Sequence, residues 1–440
     1  MKKKVVAAGA ALLATAFIGQ AASAKTLEDV LKEKGVITEE DYKEVTKSKP
    51  LDYKLGKGFT LTSADEKFQL SIGGQMQFRY TFLDADRSST GDKTQFSAQR
   101  IKLLLNGYAF TKDLTYKINF NMSGTTFNGN TKEAALEETY LQYRLIDEAQ
   151  ARLGQDKVQF GRQWITPSSA NEFVEVTETT SAFIPGYDIG LAVLGKLFNG
   201  LAYYQVGGYG GAGQNTTRNN RDNAFCGRIA VNPLGDMPYS EADVDNTQKP
   251  LVSVGGSFYK NTINSADFTA TASSTDSSLK FLNTSTGWFG LGNSANVGNS
   301  YISTTNQSVD FNTFEADAAF KWLGLFAEGE YFWAQAKGNS TKRIETGQGY
   351  YVQAGYFIIP TKLEIAARYS YLDPNRDVSN DHWVETGGAV SYYFNKHNLK
   401  LQADMTSIHK QGRIASSGAS ATNTRATDDL QARVQAQLLF

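Results

Sequence analysis

The residues that decide the fold class are Asp428–Phe440, which read DDLQARVQAQLLF. Apolar and polar side chains alternate along this stretch. The apolar set is Leu430, Ala432, Val434, Ala436, Leu438 and Phe440, and the polar set is Gln431, Arg433, Gln435 and Gln437. A period of two predicts a β-strand with one apolar face and one wet face. The end of a chain is usually frayed, so a terminal strand this regular predicts a sheet that closes on itself and leaves no free edge.

The same alternation recurs through the chain from Lys67 onward. It is clearest in FQLSIGGQMQFRYTF (Phe68–Phe82), DLTYKINFNM (Asp113–Met122) and KLEIAARYSY (Lys362–Tyr371). These segments are longer than the five or six residues usual in soluble sheets, and they suit strands that cross a membrane at a tilt. The mean hydropathy of −0.38 does not oppose this, because alternation hides the apolar face. We count about sixteen such segments, which predicts an all-β, transmembrane antiparallel barrel wide enough to enclose water.

The connections between these segments alternate in length. The short ones are Thr111–Asp113, Asp147–Gln150, Asn199–Gly200, Trp322–Gly324, Pro360–Thr361 and Asn395–Asn398. Long connections lie between them, and the most informative of these is Trp164–Gly186. Short turns at one rim and long loops at the other are typical of outer-membrane barrels. One connection on the short side, Asn232–Pro250, is long and does not follow this rule.

The start of the chain predicts export to the bacterial outer membrane. Residues 1–24 carry lysines, an apolar run and a final Ala-Ser-Ala, the pattern of a signal peptide that is cleaved after Ala24. The stretch 25–50 predicts a short helical periplasmic segment, in which Gly35 ends the first helix. The remaining residues, 51–440, are then the barrel domain.

Composition and motifs argue against most other classes of protein. The chain has 44 basic and 45 acidic residues, which is not the charge of a nucleic-acid binder. The glycines of GYGGAG (Gly208–Gly213) precede a polar loop instead of the helix that a dinucleotide site requires. The three histidines show no metal-ligand spacing, there is no nucleophile elbow, and the single Cys226 is expected to pack in the wall. We therefore predict no enzyme activity, no cofactor and no metal.

Trp164–Gly186 is predicted to fold into the barrel and narrow it. Its sequence is WITPSSANEFVEVTETTSAFIPG, with Phe173 and Phe183 as candidate anchors. A loop that stays on the surface needs few large apolar residues, although a solvated surface loop is the alternative. The loop also carries carboxylates spaced by three residues: Glu172, Glu175 and Glu178.

Several segments together resemble the phosphate-selective porin O and P family. They are GKGFTLTSADEKFQLSIGGQMQFRY, AQRIKLLLNGYAFTKDLTYKINF, LEETYLQY, GRQWITPSS, IPGYDIG and the closing RVQAQLLF. The resemblance covers nearly the whole chain after residue 24, and it implies a sixteen-stranded trimeric porin with an inward third loop. In bacterial outer-membrane proteins a terminal aromatic residue on the last strand is the usual assembly signal, and Phe440 resembles such a signal for the barrel assembly machinery. Phosphate-specific members use an arginine ladder and a lysine cluster, and this sequence has no dense ladder.

The polar faces of the strands give a map of charge for the barrel interior. The predicted pore-lining basic residues come from the first four strands and the last: Arg79, Arg100, Lys102, Lys117, Arg144 and Arg433. The predicted pore-lining acidic residues come from the opposite wall: Glu315, Asp317, Glu328, Glu330, Glu364 and Glu385. Rows of charge set which ions enter a channel. Because the two signs nearly cancel, we predict only a mild preference for anions.

The function expected from these observations is passive diffusion of small hydrophilic solutes, mostly anionic or neutral, with phosphate as one candidate. The expected partners are outer-membrane lipid, two further copies of the chain in a homotrimer, and the barrel assembly machinery; nucleic acid is not expected. Two alternatives remain at this stage. They are an outer-membrane barrel enzyme of the lipase or protease type and a β-rich surface adhesin.

Overall fold

The computed structural model describes residues 31–36, 38, 40, 51–86, 92–123, 135–217, 222–264, 308–340, 342, 344–376, 382–411 and 426–440. Contacts along the chain divide it into Met1–Pro50 and Leu51–Phe440. Within the described part, no helix has the length and apolar character needed to cross a membrane. The predicted signal peptide lies outside the described residues, as does most of the predicted helical segment.

Part of a helix and its end are described in the first unit. Residues 31–33 are helical, and Gly35 follows them with a φ of +66°. The Val36 N–H donates to the Leu31 carbonyl at 2.9 Å and the Gly35 N–H to the Lys32 carbonyl at 3.0 Å. This pair of bonds is the Schellman ending that glycine favours, so Gly35 ends a helix as predicted.

Over its described residues, the second unit is a sheet of eighteen strands with two short helices in one connection. The strands are β1 Leu51–Lys54, β2 Gly58–Thr62, β3 Phe68–Asp84, β4 Lys93–Ala109, β5 Thr111–Asn121, β6 Ala135–Ile146, β7 Ala149–Lys157, β8 Tyr187–Leu197, β9 Ala202–Tyr209, β10 Ala224–Val231, β11 Leu251–Asn264, β12 Ser308–Trp322, β13 Leu325–Gly338, β14 Ile344–Ile359, β15 Leu363–Asp373, β16 Trp383–Asn395, β17 Leu399–Lys410 and β18 Thr427–Leu439. The helices, α1 Arg162–Ile165 and α2 Glu178–Phe183, lie between β7 and β8.

Strands β3 to β18 form a closed antiparallel ring of sixteen. Each pairs with its neighbour in the chain, and β18 pairs with β3 from Leu430 opposite Asp84 to Leu439 opposite Gln75. The predicted barrel is therefore confirmed, and its last strand is part of the wall. The first two strands lie outside this ring. β1 and β2 form a hairpin, and β2 pairs with residues 69–72 at the start of β3, before the part of β3 that pairs with β18.

Phe440 completes the seam between β18 and β3. Its N–H donates to the Gly74 carbonyl at 3.1 Å, and its carbonyl accepts from the Gly74 N–H at 2.8 Å. The ring lies against Gly74 so closely that a Cβ there would come within 2.5 Å of it. The absence of a side chain at Gly74 is what makes room for the terminal aromatic ring.

Replacing Gly74 with leucine should weaken the seam. The new side chain would occupy the space of the Phe440 ring, so the last residue would have to leave its place. We expect the folded form of G74L, followed by its heat-modifiable migration on gels, to be lost at a lower temperature than that of the wild type. The matched control is G208L, because a Cβ at Gly208 meets no atom within 4 Å. Equal thermal stability of G74L and the wild type would contradict the role given to this contact.

The barrel interior is partly packed, whereas the sequence predicted an interior filled with water. An apolar cluster joins Phe160 and Phe183, from the β7–β8 connection, to inner-wall residues that include Phe311, Phe332 and Tyr351. Cys226 is buried in this cluster, and its Sγ donates to the Gln159 carbonyl at 3.4 Å. The packed region leaves the solutes only part of the cross-section.

Candidate functional site

The connection between β7 and β8, residues 158–186, folds into the barrel and is held there by aromatic side chains. Phe183 stacks on Phe332 of β13 with the ring centroids 5.3 Å apart. Phe173 lies under the Arg368 guanidinium at 3.7 Å. Two glycines of the inner wall make room, because a Cβ at Gly349 would meet Phe183 at 3.0 Å and one at Gly387 would meet Phe173 at 3.2 Å. We call residues 158–186 the inward loop.

Acidic side chains of the wall accept hydrogen bonds from the backbone of the inward loop. Glu330 accepts from the N–H of Arg162 at 3.0 Å and also from that of Gln163. Glu385 accepts from the Glu178 N–H at 2.9 Å. These N–H groups belong to the first turns of the two short helices, where they have no partner within the helix. The wall carboxylates therefore fix the path of the loop.

Five of the six acids assigned to the pore wall lie beneath the inward loop and not along open water, and the sixth, Glu385, lines a cavity at the tip of that loop. All six are between 1 % and 5 % exposed. Their partners are Arg228 for Glu315 and Asp317, Arg162 for Glu328, backbone N–H groups for Glu330, the Tyr393 hydroxyl for Glu364, and Arg368 for Glu385. The sequence placed these acids opposite the basic wall across water, and their burial corrects that picture. Buried carboxylates that are already paired contribute little to the field in the channel.

The basic residues of β3 and β4 meet the tip of the inward loop. Arg79 Nη2 lies 2.6 Å from one oxygen of Glu175, and Arg100 Nη2 lies 2.8 Å from the other. Burial alone would raise the pKa of Glu175, but Arg100 and Arg79 outweigh it and hold that pKa well below its ordinary value. Glu175 is therefore ionised at neutral pH and binds both guanidiniums at once.

The remaining predicted basic residues occupy three different settings. Lys102 pairs with Glu137 at 2.5 Å and Lys117 with Glu138 at 2.6 Å, on the inner face of β4 to β6. Arg433 on β18 forms two bonds to Asp404, at 2.7 and 2.8 Å. Arg144 is exposed at the rim of the short turns and pairs with Asp113 and Asp147. It is therefore remote from the tip of the inward loop.

A cavity of about 350 Å³ lies between the tip of the inward loop and the wall. Polar side chains dominate its lining, and both signs of charge are present. The charged members are Arg79, Arg100, Arg433, Glu175, Glu178 and Glu385. A solute that passes the loop on this side meets guanidiniums from β3, β4 and β18. We call this space the constriction cavity.

The long connection 232–250, which the strand pattern left unexplained, also folds into the barrel and supports the inward loop. One oxygen of Glu241 accepts from the Glu172 N–H at 2.7 Å and from Gln353 Nε2 at 2.9 Å. The Glu241 N–H donates to the Ala170 carbonyl at 2.9 Å. Nearby, Lys321 Nζ donates to the Ala242 carbonyl at 2.8 Å. Two inward segments, one from each rim, therefore meet at Glu241.

Comparison with known proteins agrees with this architecture. The family model of the phosphate-selective porins O and P matches residues 70–440, which is most of the chain. The chain belongs to this family. The porin is also 24% identical over 439 residues to an uncharacterized protein of Aquifex aeolicus, a match that covers 91% of this chain and 93% of that protein.

Solved outer-membrane proteins share the fold of this porin at low sequence identity. The outer membrane channel DcaP of Acinetobacter baumannii is 13% identical with a TM-score of 0.55, and the match covers 87% of this chain and 100% of that one. The anion-selective porin of Comamonas acidovorans is 11% identical with a TM-score of 0.56, over 84% and 99% of the two chains. OmpT of Vibrio cholerae, solved in a trimer form, is 10% identical with a TM-score of 0.52, over 84% and 98%. The family and the closed ring make this protein an outer-membrane porin channel.

In this porin, replacing Glu241 with alanine should loosen the inward loop. The substitution removes the acceptor of the buried Glu172 N–H and one of the two acceptors of the buried Gln353 amide, which keeps its bond to the Glu172 carboxylate at 2.8 Å. Each lost bond of a buried donor costs about 1–3 kcal/mol. We expect a larger and noisier single-channel conductance in a planar bilayer, while the ring of strands still assembles. The control is D245A, in the same connection, because Asp245 is exposed and pairs with Lys396 at the rim. An E241A channel with the conductance and noise of the wild type would show that the loop is held without this contact.

Proposed function

We propose that this porin passes small hydrophilic solutes by diffusion and mildly prefers anions. The observation that carries the proposal is the unequal exposure of the two charged walls. Arg79 and Arg100 share one carboxylate, that of Glu175, so this side of the constriction cavity keeps a surplus of one positive charge. The acids of the opposite wall are buried and paired, and Glu385, which also lines the cavity, is paired with Arg368. Glu178, farther along the cavity, opposes the positive surplus and keeps the preference mild. A narrow, low-dielectric passage focuses the field of such a surplus.

The same contacts argue against a high-affinity phosphate site in the constriction cavity. Both guanidiniums are already bonded to Glu175, and Arg433 is bonded to Asp404. A phosphate would have to displace a carboxylate that binds two arginines, and the displaced carboxylate would then repel it. We therefore infer a small electrostatic bias in place of tight binding. Phosphate would pass as one anion among others.

The test is electrical. Purified, refolded protein should show heat-modifiable migration in detergent and stepwise conductance in a planar bilayer. Across a tenfold KCl gradient, the zero-current potential should have the sign of anion selectivity and be a fraction of the roughly 59 mV that corresponds to a tenfold ratio for one charge. The potential should shrink above about 0.1 M salt, where the Debye length falls below roughly 10 Å. A pure, refolded preparation without conductance steps would contradict the proposal.

We further propose the partners and the processing expected from the sequence. Large apolar side chains such as Leu141, Val254 and Val352 are exposed on the outside of the ring, as suits contact with outer-membrane lipid. A homotrimer is proposed because the family resemblance implies it and because OmpT of Vibrio cholerae was solved in a trimer form. The proposed signal peptide ends at Ala24, so N-terminal sequencing of the outer-membrane form should begin at Lys25. Crosslinking in membranes would test the trimer.

A further inference from the structure

The constriction cavity has a basic end and an acidic end. At the basic end, Arg79 and Arg100 share Glu175 and leave one positive charge in excess. Two other pairs beside the cavity are balanced within themselves. They are Arg433 with Asp404 at 2.7 Å and Arg368 with Glu385 at 3.3 Å.

The acidic end is Glu178, the first residue of α2. Its side chain is exposed, and it lines the cavity. Its backbone N–H is bonded to Glu385 at 2.9 Å, which fixes the residue beside β16. Among the described residues the Glu178 carboxylate forms no ion pair, and Lys410, a cation on the neighbouring strand β17, is paired with Asp429 at 3.2 Å. Glu178 is thus an exposed carboxylate without a direct ion pair in the described part of the chain, and the cations that act on it across space, Lys410, Arg433 and Arg368, are each bonded to another acid.

The two ends are separated by a few strands of the wall. Glu178 lies beside β16, and Arg79 and Arg100 lie on β3 and β4, which are three and four strands away around the closed ring. With neighbouring strands about 4.8 Å apart, the backbones are roughly 14–19 Å apart. Glu175, which binds both arginines, precedes Glu178 by only three residues, so the two charged ends of the cavity lie on the order of 10 Å apart. Charges this far apart match the two ends of an extended chain better than those of an α-amino acid.

We propose that the constriction cavity selects small zwitterions whose ammonium and carboxylate lie at opposite ends of a short chain, over anions of the same length. This inference rests on the proposed diffusion of small solutes and names a solute class for that passage. The carboxylate end is attracted by the surplus charge at Arg79 and Arg100, and the ammonium end by Glu178. An anion gains only the first interaction and is repelled by Glu178. A cation of equal length is attracted by Glu178 alone and is repelled by the surplus charge at Arg79 and Arg100.

The experiment compares three solutes of nearly equal length that differ in charge. They are 6-aminohexanoate, which is a zwitterion, adipamate, which is a monoanion, and 6-aminohexanamide, which is a monocation. Uptake of each into proteoliposomes is measured at low salt. We expect the wild type to take up 6-aminohexanoate several-fold faster than adipamate. In E178Q this ratio should fall several-fold, because zwitterion uptake slows and adipamate uptake rises.

Two further variants make the test decisive. E148Q removes a carboxylate from the exposed turn between β6 and β7 and should leave the ratio unchanged. S181E adds a carboxylate to the exposed, cavity-lining Ser181 and should raise the ratio, which keeps the inference testable if E178Q assembles poorly. If conductance and anion preference are present but the ratio does not respond to E178Q and S181E, the zwitterion inference is overturned and the porin proposal stands. If no solute enters and no conductance is seen, the proposed function itself fails.

Discussion

Deletion of Leu438–Phe440 is expected to remove this porin from the outer membrane. The three residues supply the last backbone hydrogen bonds between the end of β18 and the segments on either side of it. The Leu439 N–H donates to the Asn398 carbonyl at 2.7 Å, and Phe440 exchanges two backbone bonds with Gly74. Within a membrane each backbone group left without a partner costs several kcal/mol. The deletion also removes the aromatic residue proposed as the assembly signal. We expect the shortened chain to accumulate in the periplasm, measured by fractionation and surface labelling.

A deletion of equal size elsewhere separates this effect from general fragility. Leu51–Tyr53 belong to β1, which pairs only with β2 among the strands that the structure describes and lies outside the sixteen-stranded ring. Their removal should leave outer-membrane levels close to those of the wild type. Normal surface levels of the chain that lacks Leu438–Phe440 would show that the ring closes without these last hydrogen bonds. If both shortened chains were missing from the outer membrane, the defect would lie in export and not in the closure of the ring of strands.

Alternation along each strand was enough to predict the ring. A long strand with one polar and one apolar face can place the apolar face in lipid and the polar face in water, and in a membrane such strands must close into a barrel. The same alternation placed Glu330 and Glu385 on the inner face, where the structure has them. It could not show that the inward loop covers them, because the donors are backbone N–H groups of residues more than 160 positions away. Periodicity describes one strand and its two faces, and it carries no information about which distant segment fills the lumen.

A signal for the packed interior was present in the strands themselves. Phe332–Trp333 and Tyr350–Tyr351 put aromatic side chains on both faces of β13 and β14, and Phe311 and Phe314 do the same for β12. A strand that is apolar on both faces is buried on both. In each pair the inward member, Phe332, Tyr351 or Phe311, belongs to the apolar cluster. Such breaks in alternation mark the part of a porin wall that a loop covers.

The inward position of the connection 232–250 could not be predicted from the sequence for a different reason. Its residues are largely polar, and nothing in their pattern marks Glu241 and Asp243 as buried. In the structure both are about 1% exposed, because Glu241 binds the inward loop and Asp243 accepts from the N–H groups of Thr247 and Gly324. Composition alone cannot distinguish a solvated carboxylate from a buried one whose donors come from elsewhere in the chain.

The second large effect is expected from replacing Arg79, Arg100 and Lys102 together with glutamine. The change removes three positive charges and leaves Glu175 and Glu137 without their partners. The surplus at the basic end of the constriction cavity then changes from one positive charge to one negative charge, that of Glu175. This negative charge adds to that of Glu178 at the other end of the cavity, and Glu137 contributes a further one on β6. We expect the zero-current potential across a tenfold KCl gradient to change sign, from mild anion preference to cation preference. The charges expected to dominate after the substitution are those of Glu175 and Glu137 and not those of the buried, paired acids of the opposite wall.

The position of the three charges, and not their number, should cause the change in sign. Replacing Lys112, Lys196 and Lys396 with glutamine removes the same total charge at the rim, where each of these lysines is exposed and bonded to an exposed acid. Solvent and salt screen charges at such positions, so this control should keep the potential of the wild type. E175Q alone should strengthen the anion preference, because it frees the two arginines. If the Arg79, Arg100 and Lys102 triple variant keeps the wild-type potential, ions do not pass the tip of the inward loop, and the conducting path runs elsewhere in the barrel.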